Sequence, residues 1–274
     1  MNVTDNCEHP KIFTSCYYKK SINGENIITH HAFAYQISGS LIVRDGQEIV
    51  VFDPGDFRLN IRNHLAKFTK LPSKEKPFQS LSISFDEKIL RDFAKEYNVT
   101  AKKKIKPTPS IKLKRHKLYS CFVESILQYM PNLNENNIDL VNHKIKEILL
   151  ILLKVQPELK DILFDFSIPE KINLEAFMNR NYKFNISTER FAYLTGRSLS
   201  TFKRDFNEIF NDTPNHWLIQ KRLEEAHFLI ENKKQKPSEL YIELGFEDLS
   251  HFSFAFKKKY GYSPSSLLKS KETI

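Results

Sequence analysis

Few side chains in this chain are spaced for catalysis or metal binding. His30 and His31 are adjacent, and His64 stands apart from them. Neighbouring residues on a strand face opposite sides of a sheet, so the pair cannot supply two ligands to one metal inside a barrel. Cys7, Cys16 and Cys121 are odd in number and scattered, with no Cys-x-x-Cys, which excludes a disulfide scaffold and a cysteine zinc site. Unreactive thiols are expected of them. No Gly-x-Ser-x-Gly, phosphate loop or dinucleotide fingerprint occurs. We therefore expect no catalytic residue, no cofactor and no metal, and the chain is not read as an enzyme. The pattern that does stand out is charge set against aromatic periodicity. Lys203 and Arg204 lie among Phe202, Phe206 and Phe210, which recur every fourth residue. Such a stripe docks a helix on its neighbour and leaves the opposite face, with its guanidinium and ammonium, free to donate hydrogen bonds.

The same pattern returns 50 residues later. Leu199-Ser200-Thr201-Phe202-Lys203-Arg204-Asp205-Phe206 aligns with Leu249-Ser250-His251-Phe252-Ser253-Phe254-Ala255-Phe256, and Leu, Ser, Phe and Phe coincide. Phe210 matches Tyr260, and Thr213-Pro214 matches Ser263-Pro264. Two copies of one supersecondary unit are the economical explanation. In each copy a short helix (188–194; 238–244) ends at a glycine, Gly196 or Gly245, which tolerates the left-handed turn between helices. A second helix opens after Ser198 or Asp248, both good N-caps. Thr213-Pro214 and Ser263-Pro264 start the helices that follow. The helix from Pro214 runs through Trp217, Leu218, Leu223, Ala226 and Ile230 to about Glu231. At ~1.5 Å per residue it spans roughly 26 Å, enough to hold two helices near one duplex turn apart.

The first half of the chain has another rhythm. Residues 32–37, 40–44 and 47–52 are β-branched and aromatic runs separated by Ser38-Gly39, Asp45-Gly46 and Asp53-Pro54-Gly55-Asp56. Asp45-Gly46 between two apolar runs signals a hairpin. Residues 57–61 and 79–85 alternate apolar with polar, as half-buried antiparallel strands do. The unit is expected to be a small barrel or sandwich. After Asp86 a helical stripe follows through Ile89, Leu90, Phe93, Ala94 and Tyr97. Residues 101–118 then carry eight Lys or Arg and no acid, with Pro107 and Pro109, and read as linker. Helices are expected at 118–130 and 138–155. The second presents Val141, Ile145, Ile148, Leu149 and Leu152 on one face, which suits a partner helix or a dimer seam.

Composition bounds the class. At 274 residues two domains are expected, and 41% hydrophobic residues with 22 Phe suffice for packed cores. The longest apolar stretch, 148–153, ends at Lys154 and is too short to span a membrane. Met1-Asn2-Val3-Thr4-Asp5 lacks the basic and apolar regions of a signal peptide, so a soluble, cytoplasmic protein is expected. Forty-two Lys+Arg against 33 Asp+Glu give +9, which favours a polyanionic partner. That charge is uneven. Residues 170–274 hold 17 basic and 14 acidic side chains, only +3, and the 101–118 block alone contributes +8.

Residues 172–270 resemble the DNA-binding domain of the AraC/XylS family of transcription regulators. The resemblance is carried by Ile242-Glu243-Leu244-Gly245-Phe246, by Leu249-Ser250-His251-Phe252 and by Phe256-Lys257-Lys258-Lys259-Tyr260-Gly261-Tyr262-Ser263-Pro264. Ser198 with Phe202-Lys203-Arg204-Asp205-Phe206, and Arg222-Leu223-Glu224-Glu225-Ala226 between the two units, belong to it as well. It implies an α+β fold of two domains: a cupin-like β-barrel or sandwich with following helices, then an all-α domain of seven helices holding two helix-turn-helix units. The boundaries expected are 1–100 for the β-rich regulatory domain, 101–169 for linker and dimerisation helices, and 170–274 for the DNA-binding domain. Base-reading positions fall on Ser200, Lys203 and Arg204 in the first unit and on Leu249, Ser250, His251 and Phe254 in the second. An Arg is common in the family where Phe254 stands. Lys183, Lys257, Lys258 and Lys259 are expected to hold phosphates. Implied partners are double-stranded promoter DNA, RNA polymerase, a small-molecule or protein effector at the N-terminal domain, and a second copy in a homodimer, with no membrane. An activator is expected, nucleoid-associated when bound. Two rivals stay open: a cupin-type metalloenzyme with an appended helical domain, and an architectural DNA-binding protein without base preference.

Overall fold

Alternation of large apolar with small or polar residues builds the sheets of the N-terminal half. In the computed structural model, which describes residues 11–22, 27–46, 48–130 and 137–269, ten strands appear among the described residues. These are β1 (Ile12–Tyr17), β2 (Ile27–Ile28), β3 (His31–Ser38), β4 (Ser40–Arg44), β5 (Ile49–Phe52), β6 (Phe57–Asn60), β7 (His64–Leu65), β8 (Lys67–Leu71), β9 (Phe78–Phe85) and β10 (Ser110–Lys112). One antiparallel sheet has the order β1-β9-β3-β6-β10, a second β5-β4-β8, and β2 pairs with β7. The Asp45-Gly46 hairpin forms between β4 and β5, with Gly46 at φ 94° and the Glu48 amide donating to Asp45 Oδ1 at 2.8 Å.

One face of the five-stranded sheet carries Phe33, Phe57, Leu59, Leu81, Ile83 and Phe85. Helices α1 (Glu87–Glu96), α2 (Lys117–Tyr129), α3 (Ile138–Val155) and α4 (Lys160–Leu163) follow in sequence. The first three cover that face with Leu90 and Phe93, with Tyr119, Phe122 and Ile126, and with Ile145, Ile148, Leu149 and Leu152. Alternate residues of the same strands, Gln36, Arg58, Ser80 and Ser82, are buried on the other side. There Arg58 Nη1 donates to Gln36 Oε1 at 3.2 Å, and burial pushes its pKa down to about 10. A separate cluster of Leu41, Val43, Phe52 and Phe78 fills the space under the three-stranded sheet.

Two expectations change here. The 101–118 block is not a linker. Its Ile111 pairs with Leu59 in β6, Leu113 N donates to Phe57 O at 2.9 Å, and the Lys102 and Lys103 amides donate to Asp161 Oδ1. Its cations are partly neutralised in place, since Lys112 and Arg115 both reach Asp56. Of the two uses expected of the α3 stripe, a partner helix or a dimer seam, the first is the one seen, because Ile145, Ile148, Leu149 and Leu152 share the core of their own unit with Tyr119, Phe122 and Ile126 of α2. A division at residue 100 therefore does not exist. The chain separates instead into one unit within Met1–Ser167 and another within Ile168–Ile274.

His31 and His64 line one pocket together with Arg62. His31 is buried, and desolvation, reinforced by Arg62, pushes its pKa down to about 3, so it is neutral. His30 is exposed against Thr29, and His64 Nδ1 meets the Arg62 carbonyl at 2.9 Å. Among the described residues no three His, Cys, Asp or Glu side chains are grouped as metal ligands. Cys16 and Cys121 are exposed free thiols, and Cys7 lies outside the described residues. No described helix is long and apolar enough to cross a membrane.

The second unit holds seven α-helices among its described residues: α5 (Leu174–Asn181), α6 (Thr188–Leu194), α7 (Leu199–Phe210), α8 (Pro214–Lys233), α9 (Pro237–Glu243), α10 (Leu249–Tyr260) and α11 (Pro264–Lys269). The mixed α+β class and the all-helical second unit agree with the fold the sequence implied.

Because Leu149 is buried in a shared sheet–helix core, Leu149→Ala is expected to destabilise the first unit by about 2–5 kcal/mol in urea unfolding. The neighbouring Leu150→Ala, at an exposed position, should stay within about 0.5 kcal/mol of the parent.

Candidate nucleic-acid interface

Each copy of the duplicated unit forms two helices around a glycine turn. In the first, α6 leads into α7 through Gly196 at φ 67°; in the second, α9 leads into α10 through Gly245 at φ 85°. The capping residues act as their types dictate. Ser198 Oγ accepts from the Thr201 amide at 3.3 Å, and Asp248 Oδ1 from the His251 amide at 2.7 Å. Asn211 and Gly261 close α7 and α10 in the left-handed conformation, and Pro214 and Pro264 start the following helices. The aromatic stripes face inward. Phe202 and Phe206 are fully buried, and the Phe206 ring centroid lies 5.6 Å from that of Trp217 on α8. Phe252 and Phe256 are buried with Leu223, Ala226 and Ile230 of the same α8.

With the stripes inward, the opposite arcs of α7 and α10 face outward. At about 100° per residue the centre of each arc falls on equivalent positions, Arg204 and Phe254. Arg204 has a side chain 69% exposed, with Nη2 3.3 Å from Asp205 Oδ1. Phe254 is 72% exposed, so it is not part of the packing that its type suggests. Ser200 and Lys203 are exposed beside Arg204, and Ser250 and His251 beside Phe254. Leu249 is exposed in the first turn of α10. All seven expected base-reading side chains therefore lie on solvent-facing parts of the two second helices.

The lysines expected at phosphates divide. Lys257 and Lys258 are exposed in the last turn of α10. Lys183 instead has Nζ 2.7 Å from Glu225 Oε1, and Lys259 has Nζ 3.1 Å from Glu224 Oε1 and 3.2 Å from the Gln220 carbonyl. Those two ammonium groups already satisfy carboxylates of α8, so they serve as ties within the unit.

Two further residues hold the arrangement together. Arg222, on α8, is 7% exposed and donates from all three guanidinium nitrogens to carbonyls. Nε bonds Tyr182 O at 2.7 Å, Nη2 bonds Phe184 O at 2.9 Å, and Nη1 bonds Gly245 O at 2.7 Å. Burial pushes its pKa down to about 10, still well above neutrality. Asp205, next to Arg204, sits among three cations: Arg197 Nε at 3.0 Å, Lys171 Nζ at 3.1 Å and Arg204. Arg197, followed by Lys171, holds the Asp205 carboxyl down at about 2. Arg197 also donates to the Ile172 and Thr195 carbonyls, so the cluster fastens the first turn. The sequence contained a signal for Arg222: it lies four residues after Leu218 and four before Ala226, on the buried face of α8. A cation on an apolar stripe needs buried partners.

Comparison with known proteins gives two family matches, "Helix-turn-helix domain" over residues 191–270 and "ExsA N-terminal regulatory domain" over residues 31–162. The virulence regulon transcriptional activator VirF of Yersinia enterocolitica is 32% identical over 97 residues, covering 35% of each chain. The HTH-type transcriptional regulator ExsA of Pseudomonas aeruginosa is 29% identical over 125 residues, 44% of this chain and 45% of that protein. The matched segments thus span less than half the length of these curated relatives. An apo ToxT variant from Vibrio cholerae aligns over 94% of this chain and 96% of its own at 12% identity, with a TM-score of 0.48.

The ties on α8 and at the first turn generate two expected outcomes. A Cβ at Gly245 would lie 2.6 Å from the Lys183 carbonyl oxygen and 3.1 Å from Arg222 Cζ. Gly245→Ala should therefore cost more than about 1 kcal/mol, measured by denaturant unfolding of the second unit. Asp205 has a depressed native pKa, so its contribution is complete above its unfolded value near 3.9 and is lost as pH falls through about 2. Asp205→Asn should unfold at lower denaturant than the parent at pH 7, and the gap should close between about pH 4 and pH 2.

Proposed function

This chain belongs to the AraC/XylS family of transcription regulators, and from that premise we propose that it is a sequence-specific transcription activator that reads two successive major-groove segments. The observation that carries this is the pair of equivalent helices, α7 and α10, each capped, each docked through an aromatic stripe, and each with its opposite arc left to solvent. A helix-turn-helix needs that free second helix to enter a groove.

Within this function the contacts sort by chemistry. Arg204 is long, charged and largely exposed, with Nη2 held only at 3.3 Å by Asp205, so it suits the paired acceptors O6 and N7 of guanine. Lys203 reaches guanine or phosphate, and Ser200, Ser250 and His251 supply short polar contacts. Lys257 and Lys258 neutralise phosphates and set register without naming a base. Lys183 and Lys259 keep their ties to α8 and do not take that task. The first unit is regulatory: it couples an effector, small molecule or protein, to promoter occupancy, and RNA polymerase is the further partner an activator requires. A homodimer is part of the proposal, through a surface other than the buried α3 stripe. Activity in the cytoplasm, on the nucleoid, follows from these partners.

Mobility-shift titration tests the proposal. Preference for a selected promoter duplex over random duplex should reach about 10³-fold or more; equal affinity for both would leave only an architectural role. Arg204→Ala is expected to cost ~1–3 kcal/mol and to relax choice at one base pair, whereas neutralising Lys257 or Lys258 should lower the salt slope by about 1 with the preferred sequence unchanged.

A further inference from the structure

Arg204 and Phe254 hold the same place in two copies of one unit, yet they offer a base pair opposite chemistry. Each lies four residues after an exposed serine, Ser200 or Ser250. One turn later come Asn207 and Glu208 in the first helix and Lys257 and Lys258 in the second. The second arc is thus an apolar centre followed by cations, where the first is a cationic centre followed by an amide and an acid. Phe254 is 72% exposed and has no polar atom to satisfy. Side chains that would compete for the centre of the arc are short or turned aside: Ser250 is short, and the His251 ring packs edge-on against Phe246 at 5.9 Å.

The major-groove edges of guanine, adenine and cytosine display donors and acceptors, which a phenyl ring cannot satisfy and would desolvate. Thymine alone displays an apolar group there, its C5-methyl. We propose that α10 selects thymine through this methyl group, with Phe254 as the contacting side chain, so that the two halves of the site are read by different physics: guanine by hydrogen bonding to Arg204, thymine by apolar contact with Phe254. The proposal rests on the DNA-reading function above and names the base class that one of its two helices prefers. Lys257 and Lys258, one turn on, reach phosphates and hold the ring at the base edge without adding base choice. Phe254 gives up no hydrogen bond on entering the groove.

Deoxyuridine tests this directly, since it keeps the pairing of thymine and lacks only the methyl. A preferred duplex is first selected from a random pool with the full chain, and each thymine is then replaced singly by deoxyuridine. One or two thymines, all within a single groove segment, should weaken binding by about four-fold each, the worth of one buried methyl. Phe254→Ala should bind the thymine and deoxyuridine duplexes equally, Phe254→Leu should retain part of the discrimination, and Arg204→Ala should retain all of it. Phe254 is exposed, so its replacement leaves the fold intact, and an unchanged urea midpoint verifies it. A preferred duplex indifferent to every replacement, or full discrimination surviving in Phe254→Ala, overturns the thymine assignment alone. A random pool that yields no preferred duplex overturns it together with the sequence-specific function on which it rests.

Discussion

The second unit is organised around a single buried guanidinium. Arg222 places five N–H donors of fixed geometry in an interior where each unsatisfied polar group is costly, and three backbone carbonyls meet them. Two of those carbonyls belong to the chain leaving α5, and the third is that of the turn glycine between α9 and α10. One side chain of α8 thus fixes the position of the second helix-turn-helix against the segment that leads into the first. Lysine could not replace it, because an ammonium lacks the planar fork that reaches three acceptors at once. The absence of a Cβ at Gly245 is part of the same arrangement, since the guanidinium carbon occupies the space just beyond it.

The two copies have diverged in how they are held as well as in what they present. The first fastens its turn with an ion cluster, Asp205 among Arg197, Lys171 and Arg204. In the second copy the residue equivalent to Asp205 is Ala255 and that equivalent to Arg197 is Glu247, so no such cluster can form. Its turn is held by the Arg222 bond to Gly245 and by packing of Phe246 against Phe252 at 5.0 Å. Screening by salt and protonation by acid act on the first set of contacts and leave the second almost untouched. The two copies share a shape and are held in it by different chemistry.

How much could be read from the residues alone follows the range of the interactions involved. Phe202, Phe206 and Phe210 declare a helix because their contacts lie within one period of the chain, and the Asp45-Gly46 hairpin is local as well. The outward arcs carrying Arg204 and Phe254 follow directly from the stripes behind them. β10 was hidden because Ile111 and Leu113 are two apolar residues in a lysine-rich run, and their strand partner, β6, lies some fifty residues earlier. The same limit applies to Lys183 and Lys259: their charge suggested phosphate, but Glu225 and Glu224 lie more than thirty residues away and reach them only after folding. Arg222 bonds main-chain carbonyls, which every residue carries, so its partners left no mark on residue type. The α3 stripe was correctly periodic, and periodicity does not say whether the covering surface is a neighbour in the same chain or in another.

Asp205 has more cations than one carboxylate needs. Arg197 and Lys171 lie closer to it than Arg204 does, and Arg197 is the least exposed of the three. When Arg204 swings away, no charge is left stranded, so the penalty that usually attends breaking an ion pair is largely avoided. Under the proposed reading the third cation is a detachable one: it rests on the carboxylate in the structure and would pass to a base edge at little cost. Surplus charge around an acid, which looks redundant as a stabilising device, would in the proposed function keep a reading side chain oriented and available at once.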